Sequence, residues 1–520
     1  MKSWSTQLAR IFRDNGERTF LIDAIDGGRT SYGDLARNAA VLVEQLKAHR
    51  LQAGDRIGIH LPNGTLFATL YFACLLGGFT AVPVNNALSL KDRAFVLNRS
   101  RLSAVVTGVV MNDARDTQQQ SEEGGKPWSI LTIARDGLEA DLVLNASIDA
   151  NADAMLAAIE DDRMLSIHFT SGTTSLPKGV AHRVGALLGN AASFNRTFNL
   201  GRDRTFVHVM PMPYMAGFLN TLLGAFTAEA SIVLAPQFGP QSALRFWEVV
   251  DEHGGDTIWV SPTMLATLTR IDRGSVGIEV CKRRDMRIFS ATAPLGRKVQ
   301  KEFEEKYGVR AIESYGLSEL LLITANDGPA GSKVSSVGTM LPEAQVEIRN
   351  DRGERLNGGD DGAIFVNTPH VTVGYIDFET GLPIDLQSAW FDTGDIGHVD
   401  ADGYLFVTGR MKDLIIRGGF NVSPRQIEEV LMRHPAVQDA AVVGAPHDFY
   451  GEEIVAAVIP AAGRDVADIQ QSLREECLAN LGKTLVPDRF VAFDAFPVTN
   501  LGKIQKNMIR EIIANRTDVC

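Results

Sequence analysis

Hydrophobic positions in the first 290 residues switch repeatedly between helical spacing and short continuous runs. Leu35, Leu42 and Leu46 recur at helical spacing after Ser31, a residue type that favours helix N-caps. Helices that alternate with short apolar strands predict a parallel sheet covered by helices. The elements predicted after this first helix are a strand over Arg56–Ile59, a helix over Thr65–Leu76, strands over Thr80–Val84 and Leu165–Phe169, a helix over Gly185–Phe194, and strands over Thr205–Val209, Ser231–Ala235, Thr257–Ser261 and Met286–Ser290.

A long apolar run, from Leu66 to Val84, is close to the minimum length of a membrane-spanning helix. Gly77 and Gly78 divide it into a helix-like part and a strand-like part that ends near Pro83. Because glycine pairs and proline interrupt helices, the pattern favours a buried helix, a turn and a core strand over a membrane span.

The pattern changes at Gly338, where short alternating strands begin to lie between Gly and Asp turns; this predicts a small β-rich subdomain. After Gly409 the pattern predicts a compact α+β segment. The elements predicted here are strands over Gln345–Ile348 and Gly362–Val366, then a helix over Pro424–Arg433, strands over Ala440–Val443 and Ile454–Ile459, and a helix over Ile469–Leu481. The predicted fold class is therefore α/β: a large multilayer N-terminal domain (1–409) with parallel sheets, a hinge (410–412) and a small mobile α+β C-terminal domain (413–520).

Composition narrows the class of protein. The 520 residues carry a net charge of -12, whereas nucleic-acid binding usually needs a basic face. The cysteines at 74, 281, 477 and 520 are scattered without a CxxC pair, which argues against a disulfide framework or a zinc site. The N-terminus lacks an apolar signal segment. We therefore expect a cytoplasmic protein that neither binds nucleic acid nor spans a membrane.

The strongest chemical signal is the segment from Thr170 to Gly179, with the sequence TSGTTSLPKG. It follows a predicted strand and precedes a predicted helix. Small hydroxyl residues and glycines let backbone N–H groups face phosphate oxygens, and Lys178 adds a positive charge. The GxxxxGK[ST] spacing of a Walker loop is absent. A flexible turn has a similar composition, so this segment alone leaves that alternative open.

Further segments carry side chains that suit a Mg-nucleotide site. Glu319 follows a glycine turn, and its carboxylate is a hard ligand of the kind that Mg²⁺ prefers. Asp395 lies beside a short predicted hairpin and can accept two hydrogen bonds from the hydroxyls of a ribose. Lys503 follows another glycine turn near the C-terminus.

Taken in order, these segments resemble those of the superfamily of acyl-CoA synthetases, firefly-type luciferases and peptide-synthetase adenylation domains. The resemblance runs from about Thr30 to Arg510. Turn glycines or solvated charges would explain each segment alone, but not the ordered set. The five segments are Thr170–Gly179, Tyr315–Glu319, Asp392–Asp395, Gly409–Asp413 and Pro497–Lys503.

The resemblance implies an ATP site built from several segments. The phosphate loop would comprise Thr170, Ser171, Gly172, Thr173, Thr174 and Lys178. The segments that flank the adenine would comprise Ala291, Thr292, Ala293, Pro294, Glu313, Ser314, Tyr315 and Gly316. Ser318 would bind the α-phosphate and Glu319 would hold Mg²⁺. Asp395 would bind the ribose, with Arg410 beside the nucleotide.

Other implied roles belong to the hinge and the C-terminal domain. Lys412 would be the position around which the small domain swivels. Lys503 would bridge the substrate carboxylate and the α-phosphate during adenylation, and it joins Lys178 and Glu319 as a residue with an implied catalytic role. The loop that faces the thiol acceptor, CoA, would comprise Gly418, Gly419 and Phe420.

The resemblance places the acyl pocket at Tyr214, Met215 and Gly217, where relatives often have His in place of Tyr214. That side chain would gate the pocket, hydrogen-bond the substrate or pack as an ordinary aromatic residue, and the sequence leaves these alternatives open. This segment lacks the Asp with which amino-acid-activating relatives hold an ammonium group, which argues against an amino-acid substrate. We interpret His168 as a strand residue, because a carboxylate nucleophile needs no general base. We interpret Cys281–Arg284 as a solvated loop before a strand, with contact to the phosphates of CoA as the less favoured alternative.

The resemblance therefore implies an AMP-forming acid–thiol ligase, which converts a carboxylic acid, ATP and CoA into acyl-CoA, AMP and pyrophosphate. The nearest alternative is a stand-alone adenylation enzyme that loads a carrier protein, since it would share the adenylation residues. A luciferase-type oxygenase and a catalytically silent acyl or nucleotide sensor are further alternatives.

Overall fold

The structure is a computed structural model that describes residues 3–108, 128–134, 140–144, 146–170, 177–327, 331–356, 358–386, 388–498 and 504–515. Its α-helices are α1 (Trp4–Asp14), α2 (Tyr32–Ala48), α3 (Thr65–Gly77), α4 (Leu90–Arg99), α5 (Ala152–Ala157), α6 (Val184–Thr197), α7 (Met215–Gly217), α8 (Gly224–Thr227), α9 (Pro240–Leu244), α10 (Phe246–Glu252), α11 (Pro262–Ile271), α12 (Val276–Arg283), α13 (Arg297–Tyr307), α14 (Pro424–Leu431), α15 (Val466–Leu481) and α16 (Lys506–Asn515). A π-helix spans Phe218–Leu223, and short 3₁₀ helices span Met411–Asp413 and Lys483–Leu485.

The strands are β1 (Thr19–Asp23), β2 (Arg29–Ser31), β3 (Arg56–His60), β4 (Thr80–Pro83), β5 (Ala104–Gly108), β6 (Ser129–Ala134), β7 (Leu142–Val143), β8 (Met164–Thr170), β9 (Lys178–Arg183), β10 (Thr205–His208), β11 (Ser231–Leu234), β12 (Thr257–Val260), β13 (Arg287–Ser290), β14 (Ala311–Glu313), β15 (Gly316–Leu317), β16 (Leu321–Leu322), β17 (Thr324–Ala325), β18 (Thr339–Met340), β19 (Gln345–Arg349), β20 (Gly362–Asn367), β21 (Gly374–Ile376), β22 (Pro383–Asp385), β23 (Phe391–Val399), β24 (Leu405–Arg410), β25 (Ile415–Arg417), β26 (Phe420–Val422), β27 (Val437–His447), β28 (Gly451–Pro460) and β29 (Arg489–Ala492).

Two large sheets form the N-terminal domain, as the alternation of helices and strands predicts. The nine-stranded sheet has the order β22-β21-β9-β8-β4-β3-β5-β6-β7, with parallel pairing from β8 to β7 and antiparallel pairing from β8 to β22. The seven-stranded sheet has the order β14-β13-β12-β10-β11-β1-β2, and only its edge pair β1–β2 is antiparallel.

One hydrophobic core joins these two sheets through the helices between them. The apolar side chains of α2, α3, α6 and the π-helix pack with residues from both sheets. Phe72 of α3 and Phe226 of α8, whose ring centroids are 4.7 Å apart, belong to this core. The predicted N-cap of α2 is confirmed, because the Ser31 side chain accepts a hydrogen bond from the Asp34 N–H and the Asp34 carboxylate accepts one in return.

The apolar run from Leu66 to Val84 forms α3, a turn and β4, as predicted. Gly78 ends the helix in the left-handed region, at φ +78°, and β4 is completely buried. Within the described ranges, no helix combines the length and the apolar character that crossing a membrane requires.

The β-rich subdomain and the C-terminal domain also follow the predicted pattern. A four-stranded antiparallel sheet has the order β19-β20-β23-β24, and the 3₁₀ helix Met411–Asp413 connects it to the C-terminal strands. The C-terminal sheet has the order β26-β25-β28-β27, with β29 parallel to β28. Helices α14 and α15 pack against it through one apolar cluster and α16 through a second.

One local prediction is incomplete and another is wrong. The helix predicted over Gly185–Phe194 is confirmed as α6, but the strand β9, which lies between the predicted phosphate loop and this helix and runs antiparallel to β8, was not predicted. Cys281–Arg284 is not a solvated loop, since α12 includes Cys281, Lys282 and Arg283. Cys281 is buried in the core that covers the seven-stranded sheet, while the guanidinium of Arg283 forms an ion pair with Asp251.

Candidate active site

Two residues from other segments of the chain donate hydrogen bonds to the carboxylate of Asp395. β23 and β24 pair Asp395 directly opposite Arg410, whose Nε donates to Oδ1 at 2.8 Å. The Tyr315 hydroxyl donates to Oδ2 at 2.5 Å. The Asp395 side chain is only 3% exposed, so these two donors hold an almost fully buried negative charge. Although burial alone would lower it, the pKa of Arg410 is raised, chiefly by the Asp395 carboxylate.

Glu319 lies in the turn of the small β15–β16 hairpin. Gly316 begins this hairpin at a position where a Cβ atom would lie 2.2 Å from the Leu321 carbonyl oxygen, so the close strand approach requires glycine. The buried His182 ring, whose pKa burial lowers to about 4, is neutral at pH 7. Its Nε2 donates to the Ser318 carbonyl at 2.7 Å and fixes one side of the turn.

Tyr375, on β21, contacts both this turn and Lys178, the lysine of the predicted phosphate loop. Its hydroxyl donates to Glu319 Oε1 at 2.7 Å. The Lys178 Nζ lies 4.8 Å from the centroid of the Tyr375 ring, within the range of a cation–π interaction. Burial and the nearby Glu319 carboxylate raise the pKa of the Tyr375 phenol, so it stays protonated and remains a donor at neutral pH.

The two segments predicted to flank the adenine are hydrogen-bonded to each other. β13 and β14 pair in parallel, and the Ser314 N–H donates to the Ser290 carbonyl at 2.9 Å. The buried Glu313 carboxylate accepts the Leu295 N–H at 2.9 Å, which closes the loop that contains Ala291–Pro294. Within this loop Thr292 has φ +79°, a strained conformation for a β-branched residue and one that clusters at functional sites.

Tyr214, Met215 and Gly217 lie at the start of the short helix α7, which continues into the π-helix. The Tyr214 ring packs against the main core. Burial raises the pKa of the Tyr214 phenol, and the charges of Arg410 and Glu319 also act on it. A Cβ atom on Gly217 would lie 2.3 Å from the Pro211 carbonyl oxygen, so this turn requires glycine. Tyr214 therefore combines ordinary packing with proximity to the charged groups of the site.

His168 is the strand residue that the sequence analysis predicts. It lies on β8 and stacks on Phe218, with ring centroids 5.2 Å apart. Burial lowers its pKa to about 3. The ring is therefore neutral at physiological pH, and its position in the sheet explains it without a catalytic role.

Several predicted site residues are not brought into these contacts. Ser171, Gly172, Thr173, Thr174 and Lys503 lie outside the described residues. Lys412 lies in the 3₁₀ helix between β24 and β25, and burial lowers its pKa. The proposed acceptor loop belongs to the C-terminal domain: the Gly418 N–H donates to the Tyr450 carbonyl at 2.7 Å, and Phe420 is 76% exposed.

The side chains of Glu319, Lys178 and Asp395 have the chemistry that suits a Mg-nucleotide. Among the described residues, no group of three or more His, Cys, Asp or Glu side chains can hold a metal. Glu319 offers a carboxylate that shares the contact residue Tyr375 with Lys178. One or two carboxylates are what Mg²⁺ uses when phosphate oxygens and water supply its other ligands. Asp395, fixed by its two donors, has the acceptor chemistry that suits ribose hydroxyls.

Sequence reasoning missed two residues of the site, Tyr375 and His182. Tyr375 follows Gly374, whose φ of +146° is a conformation that favours glycine. A glycine before a tyrosine was therefore the signal that the sequence offered for a close approach of the backbone at this point. It could not indicate the partners of Tyr375, because Glu319 and Lys178 lie 56 and 197 positions away in the sequence. His182 carried no signal, because it looks like any other polar residue of a strand.

The chain is similar to known proteins along most of its length. A model of the AMP-binding enzyme family matches residues 8–376, and a model of the AMP-binding enzyme C-terminal domain matches residues 426–503. The oxalate–CoA ligase of Arabidopsis thaliana is 30% identical over 469 residues, which are 89% of this chain and 89% of that protein. The sulfoacetate–CoA ligase of Cupriavidus necator is 29% identical over 495 residues, 94% of each protein.

The fold is also shared with solved structures. The ATP-bound crystal structure of MatB from Rhodopseudomonas palustris matches with a TM-score of 0.83 at 24% identity, over 99% of this chain and 100% of that one. The large α/β domain and the smaller C-terminal domain thus have a direct structural counterpart. Because the first family model spans well over half of its length, the chain belongs to the family of AMP-binding enzymes.

Proposed function

We propose that this protein is an AMP-forming carboxylate–CoA ligase that uses ATP and Mg²⁺. The observation that carries the proposal is the buried carboxylate of Asp395, held by Tyr315 and Arg410 from two other segments. The names of its relatives, carboxylate–CoA ligases, support the same reaction.

The first half-reaction is the attack of a carboxylate oxygen on the α-phosphorus of ATP. A P–O bond forms to the acid, the P–O bond to pyrophosphate breaks, and pyrophosphate leaves with the electron pair. Two anions approach each other in this step, so catalysis depends on positioning and on stabilising charge at the phosphate oxygens. In the proposal, Lys178 and Lys503 supply positive charge, Ser318 a hydrogen bond, and Asp395 the orientation of the ribose.

Bound Mg²⁺ would neutralise part of the phosphate charge, and Glu319 is the residue that would hold it.

In the second half-reaction the CoA sulfur attacks the acyl carbonyl carbon. The C–O bond to AMP breaks, AMP leaves with the electron pair, and the thiol proton passes to solvent. The 410–412 segment would be the hinge that brings the Gly418–Phe420 loop to the adenylate.

We further propose that the acid has an uncharged tail. Residues 209–227, which include the predicted acyl-pocket residues, contain no charged side chain. Met210, Met212 and Met215 are buried there, and methionine side chains adapt to apolar ligands of irregular shape. A second carboxylate would lose its hydration against this segment, which itself supplies no compensating charge.

Pyrophosphate release from ATP with a panel of acids, with and without CoA, tests the proposal. Hexanoate and adipate form a matched pair that differs in one carboxylate. We expect faster release with hexanoate, a sharp rise on addition of CoA, and an acyl-CoA product by mass spectrometry. Slow release that CoA does not change would contradict CoA as the acceptor and favour a carrier protein. A preference for adipate would contradict the uncharged tail.

A further inference from the structure

Tyr375 contacts two charged side chains of the proposed phosphate site, those of Glu319 and Lys178. The hydroxyl donates to Glu319 Oε1 at 2.7 Å, and the face of the ring lies 4.8 Å from the Lys178 Nζ. One side chain thus contacts both the carboxylate proposed to hold Mg²⁺ and the lysine proposed to meet the phosphates. The hydroxyl and the ring act on different partners, so substitution can separate their effects.

A second contact to Glu319 comes from the backbone of Thr372, three residues before Tyr375. The Thr372 N–H donates to the Glu319 carbonyl at 2.7 Å, while the Thr372 hydroxyl donates to the Ala181 carbonyl at 2.6 Å. Glu319 is therefore held at its main chain and at its carboxylate by residues 372–375. One hydrogen bond fixes the backbone of Glu319 and the other fixes the orientation of its carboxylate.

The position of Tyr375 is itself fixed by the sheet. β21 pairs antiparallel with β9, with Tyr375 opposite Val180 and Gly374 opposite Ala181. Lys178 is the first residue of β9, two positions from Val180. At Gly374 a Cβ atom would lie 2.0 Å from the Ile384 carbonyl oxygen, so only glycine allows β22 to approach on the other side.

We propose that Tyr375 is a positioning residue that sets the orientation of Glu319 for Mg²⁺ and of Lys178 for the phosphates of ATP. This inference rests on the proposed roles of Glu319 and Lys178. Groups that hydrogen-bond a metal-ligating carboxylate fix its orientation, and their loss typically costs about 10–100-fold in metal affinity or activity. The ring restricts Lys178 by a cation–π interaction, a weaker effect of about two- to fivefold at exposed sites.

The test compares Tyr375→Phe, Tyr375→Leu and Glu319→Gln. Binding of Mn²⁺, as a spectroscopic substitute for Mg²⁺, is followed by EPR in the presence of α,β-methylene-ATP, and the KM for ATP is measured at saturating Mg²⁺. We expect Tyr375→Phe to weaken Mn²⁺ binding about tenfold while the KM for ATP changes less than about twofold. Tyr375→Leu should weaken Mn²⁺ binding equally and also raise the KM for ATP about two- to fivefold.

The chain offers a matched control in Tyr404. Its buried ring lies 4.5 Å from the Lys333 Nζ, and its hydroxyl donates to the Gly331 carbonyl at 2.5 Å. Tyr404→Phe therefore removes the same kind of hydroxyl beside the same kind of lysine, and it should leave Mn²⁺ binding unchanged.

Two results would overturn the inference in distinguishable ways. If Glu319→Gln weakens Mn²⁺ binding but Tyr375→Phe binds within about twofold of wild type, Glu319 holds the metal and Tyr375 does not position it. If Glu319→Gln also binds Mn²⁺ like wild type, the proposed metal role of Glu319 fails, and the role of Tyr375 fails with it. Circular dichroism of each variant identifies any loss of folding.

Discussion

Asp395 and Arg410 face each other across two antiparallel strands, and their side chains form an ion pair with a 2.8 Å distance between Oδ1 and Nε. The aspartate is 3% exposed and the arginine 36%. Both strands belong to the β-rich subdomain, and Arg410 is also the first residue of the proposed hinge. The strength of the ion pair therefore affects both the proposed ribose site and the start of the C-terminal domain.

Arg410→Ala should destabilise the protein and weaken ATP binding, because it leaves a buried carboxylate without its counter-charge. We expect a loss of about 3 kcal/mol in the free energy of unfolding, the low end for buried pairs, since Arg410 is partly exposed. The KM for ATP should rise about tenfold or more. Urea unfolding and steady-state kinetics measure the two effects.

The control for this substitution is Arg355→Ala, which removes an exposed arginine 3.9 Å from Glu347 in the same subdomain. Surface pairs of this kind contribute about 0–1 kcal/mol, so stability and the KM for ATP should hardly change. An Arg410→Ala variant as stable as Arg355→Ala would contradict a structural role for the Asp395–Arg410 pair.

Glu313 should make the stability of the protein depend on pH. Burial raises its pKa from 4.5 to about 7. The folded state therefore holds the proton more tightly than the unfolded state. This contribution is fully present below about pH 4.5 and is lost as the pH rises through about 7. At about 1.4 kcal/mol per pKa unit, the loss is roughly 3 kcal/mol.

Glu313→Gln removes this titration and keeps an acceptor for the Leu295 N–H. We expect its free energy of unfolding, measured in urea at pH 5 and pH 8, to fall less than that of wild type as the pH rises. Glu302→Gln, an exposed position on α13, serves as the control and should follow wild type. Equal pH slopes for Glu313→Gln and wild type would show that burial does not hold the proton on this carboxyl.

Gly217→Ala should distort the segment proposed to line the acyl pocket. The added methyl group would lie 2.3 Å from the Pro211 carbonyl oxygen, so the backbone must shift. Overpacking of this kind costs about 1–3 kcal/mol. We expect a lower midpoint of urea unfolding and a raised KM for the acid, with a smaller change in the KM for ATP.

Gly274→Ala is the matched control, because the nearest atom to an added Cβ there is 3.6 Å away, an ordinary contact. It should behave like wild type in both assays. If Gly217→Ala changed the KM for ATP more than the KM for the acid, the segment would belong to the nucleotide site instead.

Local patterns were enough to predict much of the fold. The run from Leu66 to Val84 forms the expected helix and strand, because Gly78 provides the left-handed turn between them. The pattern failed at Cys281–Arg284, where the charged residues suggested a loop. There Val280 and Cys281 bury one face of α12, and the charges lie on the other side of the same helix.

The candidate site was only partly predictable from the sequence, because some of its contacts form between segments that are far apart in the chain. Short motifs singled out Glu319, Asp395 and Arg410 as candidates, because each lies in a recognisable segment. Tyr375 lies in no segment that the sequence analysis singled out, and its partners become neighbours only through the β9–β21 pairing. Contacts set by sheet topology cannot be obtained from local composition.

Lys503→Ala should separate the two half-reactions. If this lysine bridges the carboxylate and the α-phosphate, its loss should slow adenylation by about 10²–10³-fold. Formation of acyl-CoA from a preformed acyl-adenylate should be nearly unchanged, since no phosphate displacement occurs in that step. Lys298→Ala, an exposed lysine of α13, provides the control. Equal losses in both half-reactions would contradict the proposed role.

The central claim is that the acid attacks the α-phosphorus of ATP, and isotope transfer tests it most directly. An accepted acid labelled with ¹⁸O in both carboxylate oxygens is converted in the presence of ATP, Mg²⁺ and CoA, and the products are analysed by mass spectrometry. Attack at the α-phosphorus followed by thioester formation predicts one ¹⁸O atom in AMP and none in pyrophosphate. Label in inorganic phosphate with formation of ADP, or unlabelled AMP, would contradict the account.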